Sequence, residues 1–118
     1  MINRYDQRQV YEATLHACLF AVRDGFPHLA IRDIVDPNHA WFDAALARQV
    51  AMHLVIREFG WPKTRVAETE ERSREAINRA LRTIDRRLEH DRFAAHYQMM
   101  KERARELFFL RTSDNEVA

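Results

Sequence analysis

Two glycines and three prolines in 118 residues leave this chain few places to turn. A sandwich or barrel needs a turn about every ten residues, and Gly and Pro serve many of them. The chain is therefore expected to run in long helices. Hydrophobic residues make up 47% and charged residues 31%, the balance of a chain that folds around a core. The length gives room for one domain, not for a catalytic domain beside a binding domain. The single cysteine, Cys18, excludes an internal disulfide framework and a CxxC-type zinc site. Its apolar neighbours read it as a small buried side chain.

The longest near-apolar stretch, Ala17 to Val22, falls well short of the roughly 20 residues a membrane-spanning helix needs. Met1 to Gln9 is polar and carries no signal-peptide pattern, so the expected location is the cytoplasm. Net charge is +1, too small to argue for a nucleic-acid partner by itself. The charge is uneven, however. Residues 1–59 hold six basic and seven acidic side chains, and residues 60–118 hold thirteen and eleven. Seventeen of the nineteen basic residues are Arg, which forks onto phosphate and guanine better than Lys does.

Helical periodicity organises the chain. A first helix is expected over about Asp6 to Asp24, ending at Gly25 as a left-handed stop. It is apolar on more than one side, which makes it either central to the core or covered by a partner chain. A short element over Pro27 to Val35 follows. Asp36 as cap and Pro37 as first helical residue open the next helix, Ala40 to Phe59, which Gly60 stops. Trp61-Pro62 opens a short helix of about Pro62 to Thr69, and Glu70-Glu71-Arg72 forms a turn. Ser73 to Glu89 is a helix with Ile77, Leu81, Ile84 and Leu88 in one stripe. Asp91 caps the last helix, and the polar tail 112–118 is expected to be disordered. The fold class is all-α: a compact single domain of about five helices over residues 1–111.

The stretch from Val66 to Arg82 carries the most information. A helix-turn-helix asks for an apolar then a small residue in its first helix, and a short turn. It then asks for a polar N-cap, and for apolar anchors about four residues apart in the second helix. Val66-Ala67, Ser73, and Ile77 with Leu81 supply these in order, which places the motif at about 62–89. At 100° per residue from Ile77, Leu81, Ile84 and Leu88 lie within about 40°, while Arg79, Arg82 and Arg86 lie at about 140–200°. Ser73, Arg74, Glu75 and Asn78 occupy the first turns, where a reading helix meets base edges. Glu70 and Glu71 run against this reading, because carboxylates repel phosphates unless they face away or pair with Arg65 or Arg74.

The preceding helix contains Arg48-Gln49-Val50-Ala51-Met52-His53-Leu54. It resembles the Arg-Gln-x-Ala-Met-x-Leu stretch in the C-terminal DNA-binding domain of DnaA, the bacterial chromosomal replication initiator. Trp61-Pro62 resembles the Leu-Pro that opens that family's short helix, and Val66-Ala67 its Ile-Gly. Ile77, Ala80 and Ile84 match apolar or small positions of the reading helix, and Arg82 a basic one. The resemblance covers about Ala47 to Leu88 and implies a domain of the Trp-repressor-like group that reads duplex DNA in the major groove. The family's signature Gly-Gly-Arg-Asp-His-Thr-Thr is replaced by Glu-Glu-Arg-Ser-Arg-Glu-Ala, so its target sequence does not transfer. Its basic loop is replaced by Phe42-Asp43-Ala44-Ala45-Leu46-Ala47, and no Gly-rich phosphate loop is present.

The candidate DNA-contacting set is thus Arg72, Ser73, Arg74, Glu75, Asn78, Arg79, Arg82 and Arg86, joined by Arg48, Lys63 and Arg65 from the two preceding helices. His16, His28, His39, His53, His90 and His96 are scattered without ligand spacing, and no nucleophile motif occurs. The expectation is a non-enzymatic protein without metal or cofactor, which binds double-stranded DNA in a sequence-specific way and regulates transcription or replication. The alternative is an interaction module that keeps the helical scaffold and binds a protein instead. A homodimer fits the first reading, since two-fold pairing doubles the contact of a short reading helix.

Overall fold

A computed structural model of the protein describes residues 6–38 and 40–117, with side chains described to residue 113. Residues 1–5, His39 and Ala118 lie outside the described residues. Six helices form one globule, with no strand among the described residues. They are α1 (Gln7–Gly25), α2 (Ile31–Val35), α3 (Phe42–His53), α4 (Lys63–Thr69), α5 (Arg74–Arg87) and α6 (Asp91–Val117). No described helix is long and apolar enough to cross a membrane.

α1 starts where its sequence asks it to. The Asp6 carboxylate accepts from the Arg8 and Gln9 amides at 3.0 and 3.4 Å, satisfying donors that have no partner inside the helix. Its double-sided apolar character is explained by position, because α6 packs along it and α3 crosses it. Tyr11, Ala17, Cys18, Ala21 and Val22 are all buried. Gly25 ends the helix, but its φ is not positive, so the expected left-handed stop is not what selects glycine there. Space is the reason. A Cβ on Gly25 would fall 2.6 Å from the Met100 Sδ and 3.0 Å from the His96 Nε2. His96 donates to the Gly25 carbonyl at 2.8 Å, closing α6 onto the end of α1.

α3 begins later than its sequence suggests. Asp36 ends α2 rather than capping α3, and its φ of −135° and ψ of 77° take it out of the helical region that a residue before a proline avoids. Pro37 and Asn38 lie outside any helix, and α3 opens at Phe42 without a side-chain cap. Its last turn widens into a π-helical turn over Leu54–Glu58, closed by Phe59 N–H to Leu54 C=O at 3.1 Å. Burial is continuous from Val50 to Ile56, which makes this helix the spine of the core. Gly60, at φ 75°, is the true left-handed stop, and Trp61-Pro62 leads into α4 as expected.

Trp61 fixes α4 on α1. Its indole N–H donates to the Thr14 hydroxyl at 3.2 Å, and its ring meets Tyr11 edge-on with centroids 5.1 Å apart. Asp91 is the first residue of α6 and stands in its first turn, where a negative charge suits the helix dipole. α6 carries on through the segment read as a polar tail, to Val117.

Candidate nucleic-acid interface

α5 forms for two local reasons. The Ser73 hydroxyl accepts from the Ala76 amide at 3.0 Å, and Glu75 lies in the first turn. Its inner stripe of Ile77, Ala80, Leu81 and Ile84 is buried against α3 and α4, as the periodicity predicted. The opposite side is charged and open. Arg74, Arg79, Arg82 and Arg86 are exposed, as is Arg72 in the turn before the helix. Arg79 pairs loosely with Glu75 at 3.4 Å, one turn earlier. Among the described residues Arg72, Arg74, Arg82 and Arg86 have no ion-pair or hydrogen-bond partner. α4 and α5 are joined by only four residues, 70–73.

The other residues of the candidate set are placed differently. The Ser73 hydroxyl is engaged as the cap, and Asn78 is half-buried on the flank. Lys63 is exposed at the start of α4, away from the α5 stripe in sequence and element. Arg65 is half-buried, with its guanidinium 5.7 Å from the Trp61 ring centre and 6.0 Å from that of Tyr11. Arg87, on the flank of α5, lies over Phe42 and Phe93 at 5.4 and 5.8 Å.

Arg48 departs most from expectation. It is 7% exposed and turned into the protein, where its Nη2 donates to the Glu70 Oε1 at 3.0 Å. The Tyr11 hydroxyl donates to the other oxygen, Oε2, at 3.1 Å. Burial, together with the Glu70 charge and hydrogen bond, holds the Tyr11 phenol far above its ordinary pKa. Arg48 therefore serves the interior rather than a phosphate. The same network disposes of half the acidic turn, because the Glu70 carboxylate points inward and is neutralised by Arg48. Glu71 remains exposed, with φ at 53°, in the left-handed region that glycine occupies most easily.

A second polar cluster lies behind α5. His53 is 3% exposed, 2.7 Å from Asp85 through Nε2 and 2.6 Å from the Tyr97 hydroxyl through Nδ1. A neutral ring protonated at Nε2 satisfies every atom: it donates to Asp85 and accepts from Tyr97. Burial lowers the His53 pKa and outweighs the pull of Asp85. The hydrogen bond from His53 lowers that of Asp85, with help from the charge and hydrogen bond of Arg57. Arg57 reaches the second Asp85 oxygen at 3.3 Å. One buried imidazole thus ties α3 to both α5 and α6. The sequence offered no local signal for it, since His53 lies 32 residues from Asp85 and 44 from Tyr97.

Among the described residues no group of three His, Cys, Asp or Glu side chains could hold a metal ion. Comparison with protein-family models, with curated proteins and with solved structures finds no match to the chain.

Proposed function

We propose that the protein binds double-stranded DNA through α4 and α5 used as a helix-turn-helix, with α5 laid in the major groove. The observation that carries this reading is the set of exposed arginines without partners among the described residues, Arg72, Arg74, Arg82 and Arg86, at the start and along the outer side of α5. An arginine with no carboxylate beside it is free to exchange water and counterions for phosphate. Arg79, Arg82 and Arg86 would hold the backbone, and Arg74, Glu75 and Asn78 would stand nearest the bases. The inward turn of Glu70 supports the same reading, because it removes one of two negative charges from the approach to phosphate. The likeness of Arg48 to Leu54 and of the following helices to the DnaA DNA-binding domain points the same way. It extends the proposal to sequence-specific regulation of replication or transcription.

Selection from a randomised duplex pool, followed by affinity against salt, tests this. The native chain should enrich a motif and lose affinity steeply with salt. Arg82→Ala with Arg86→Ala should reduce the salt slope by about two. No enrichment, with affinity confined to the non-specific range of roughly 10⁻⁴ to 10⁻⁶ M, would refute it.

One observation favours a protein-binding module instead. Where the resemblance implies a basic loop, α3 opens with Phe42, 63% exposed, and with Asp43 paired to His28 at 2.9 Å. In that case the same pool would give no winner.

A further inference from the structure

One flank of α6 carries Met99, Arg103, Glu106 and Leu110, at steps of four, three and four residues. On a helix these four lie within about 60° of one another. Met99 is 68% exposed and Leu110 49% exposed, and either alone would be ordinary on a protein surface. Their arrangement is informative. Met99 and Leu110 lie equally far from the midpoint between Ala104 and Arg105, and so do Arg103 and Glu106. When the helix is turned end for end about that midpoint, Met99 falls on Leu110 and Arg103 falls on Glu106. The flank is therefore complementary to itself in the antiparallel sense, with apolar meeting apolar at both ends and opposite charges meeting in the middle. Parallel pairing would set Arg103 against Arg103 and Glu106 against Glu106.

Shape agrees with charge. Beside Met99, where the end of α1 meets α6, the small residues Ala21 and Gly25 leave a cleft of about 370 Å³ that Met100 also lines. Leu110 stands roughly 17 Å farther along the helix axis. A two-fold axis through the midpoint brings each copy's Leu110 to the other copy's cleft. On the rim, Asp24 and Glu102 are already engaged by Arg103 at 3.1 Å and Gln98 at 3.2 Å in the same chain. Arg103 donates to Asp24 through Nε and to Glu106 through Nη1. Its Nη2 and the Glu106 Oε2 have no partner among the described residues, and these are the atoms a second copy can use.

We propose that this face is an isologous interface, at which two copies of the chain pair through antiparallel α6 helices. Leu110 of each copy fills the cleft beside Met99 of the other, and Arg103 of each meets Glu106 of the other. The face contains no α5 residue, so the proposal stands apart from DNA binding.

Sedimentation equilibrium of the full chain, without DNA, tests this. The native chain should pass from 14.1 kDa to twice that mass as its concentration rises. Leu110→Glu, at a half-exposed site, should weaken pairing at least about tenfold. Arg103→Glu and Glu106→Arg should each weaken it as well, because like charges then meet near the axis. An equimolar mixture of those two variants should pair again, since each contact across the axis then joins opposite charges. Circular dichroism checks that each variant keeps the native helix content. Three results would each overturn the proposal: a single 14.1 kDa species at about 1 mM chain, native-like pairing in Leu110→Glu, or a mixture that pairs no better than its two components.

Discussion

Removing the Glu70 carboxylate should destabilise this protein more than removing any other single charge on α4 or α5. The Arg48 and Glu70 side chains are 9% and 10% exposed, so neither charge has much water to fall back on. In Glu70→Ala the Arg48 guanidinium loses its counter-ion and its one hydrogen bond at 3.0 Å, with its Nε N–H already unpaired. Breaking a buried ion pair from one side costs about 3–5 kcal/mol. The Tyr11 hydroxyl also loses its acceptor, a buried donor left bare at about 1–3 kcal/mol. The two losses share the Glu70 carboxylate and overlap, so the net expectation is about 4 kcal/mol. A 118-residue domain has roughly 6–18 kcal/mol in total, so this is a large share. Urea unfolding followed by circular dichroism should show a lower midpoint with an unchanged slope. Glu71→Ala, one residue on and exposed, should stay within about 0.5 kcal/mol of native. Replacing the whole network with apolar groups (Tyr11→Phe, Arg48→Met, Glu70→Leu) should recover most of the loss, because no buried charge is then left alone. A Glu70→Ala protein within about 1 kcal/mol of native would refute the assignment of a buried, interdependent pair.

Four further outcomes are expected. Burial lowers the His53 pKa, so between pH 6.5 and the lower native value the unfolded chain binds a proton that the folded one does not. Stability contributed by His53 is then complete above about pH 6.5 and falls as the pH drops, and a His53 ring resonance titrating above 6.5 would contradict this. Tyr97→Phe leaves the His53 Nδ1 without its donor and should cost about 1–2 kcal/mol in urea, whereas a neutral result would show that the 2.6 Å contact is not a hydrogen bond. Glu71→Gly relieves a left-handed backbone and should raise stability by about 0.5–1 kcal/mol, while a lower melting temperature would mean the Glu71 side chain has a role its exposure does not reveal. Gly25→Leu, by contrast, should cost about 1–3 kcal/mol through its clash with Met100, and a thermal melt unchanged from native would rule that out.

The elements that were legible in the sequence were those whose signals are local. The Ile77, Leu81 and Ile84 stripe, the Ser73 cap and the Gly60 stop each act within a turn or two of their own residues, and each stands where the pattern places it. Asp36-Pro37 shows how a local signal misleads. The pair is a good helix opening, but any residue before a proline is also biased out of the helix, and the short α2 ends there. The side-chain networks were not legible at all. Arg48 on a helix reads as a surface charge until Glu70, 22 residues on, is folded over it. His53 reads as one of several scattered histidines until α5 and α6 bring Asp85 and Tyr97 to its two nitrogens. Gly25 in the sequence suggests backbone freedom, and only Met100, on a helix that begins 66 residues later, shows that the missing side chain is the point.

Cys18 is the chain's one thiol, and it sits wholly buried on α1, where burial pushes its pKa up. A thiol-alkylating reagent therefore meets no reactive sulfur while the fold is closed, since the thiolate is the attacking species. Labelling can proceed only in molecules whose packing around α1 has come apart. With excess reagent, the rate of mass gain becomes a clock for that opening, read in the unmodified protein without an introduced probe. The same silence allows a new cysteine on the outer side of α5 to be tagged selectively, with the native one left untouched in the core.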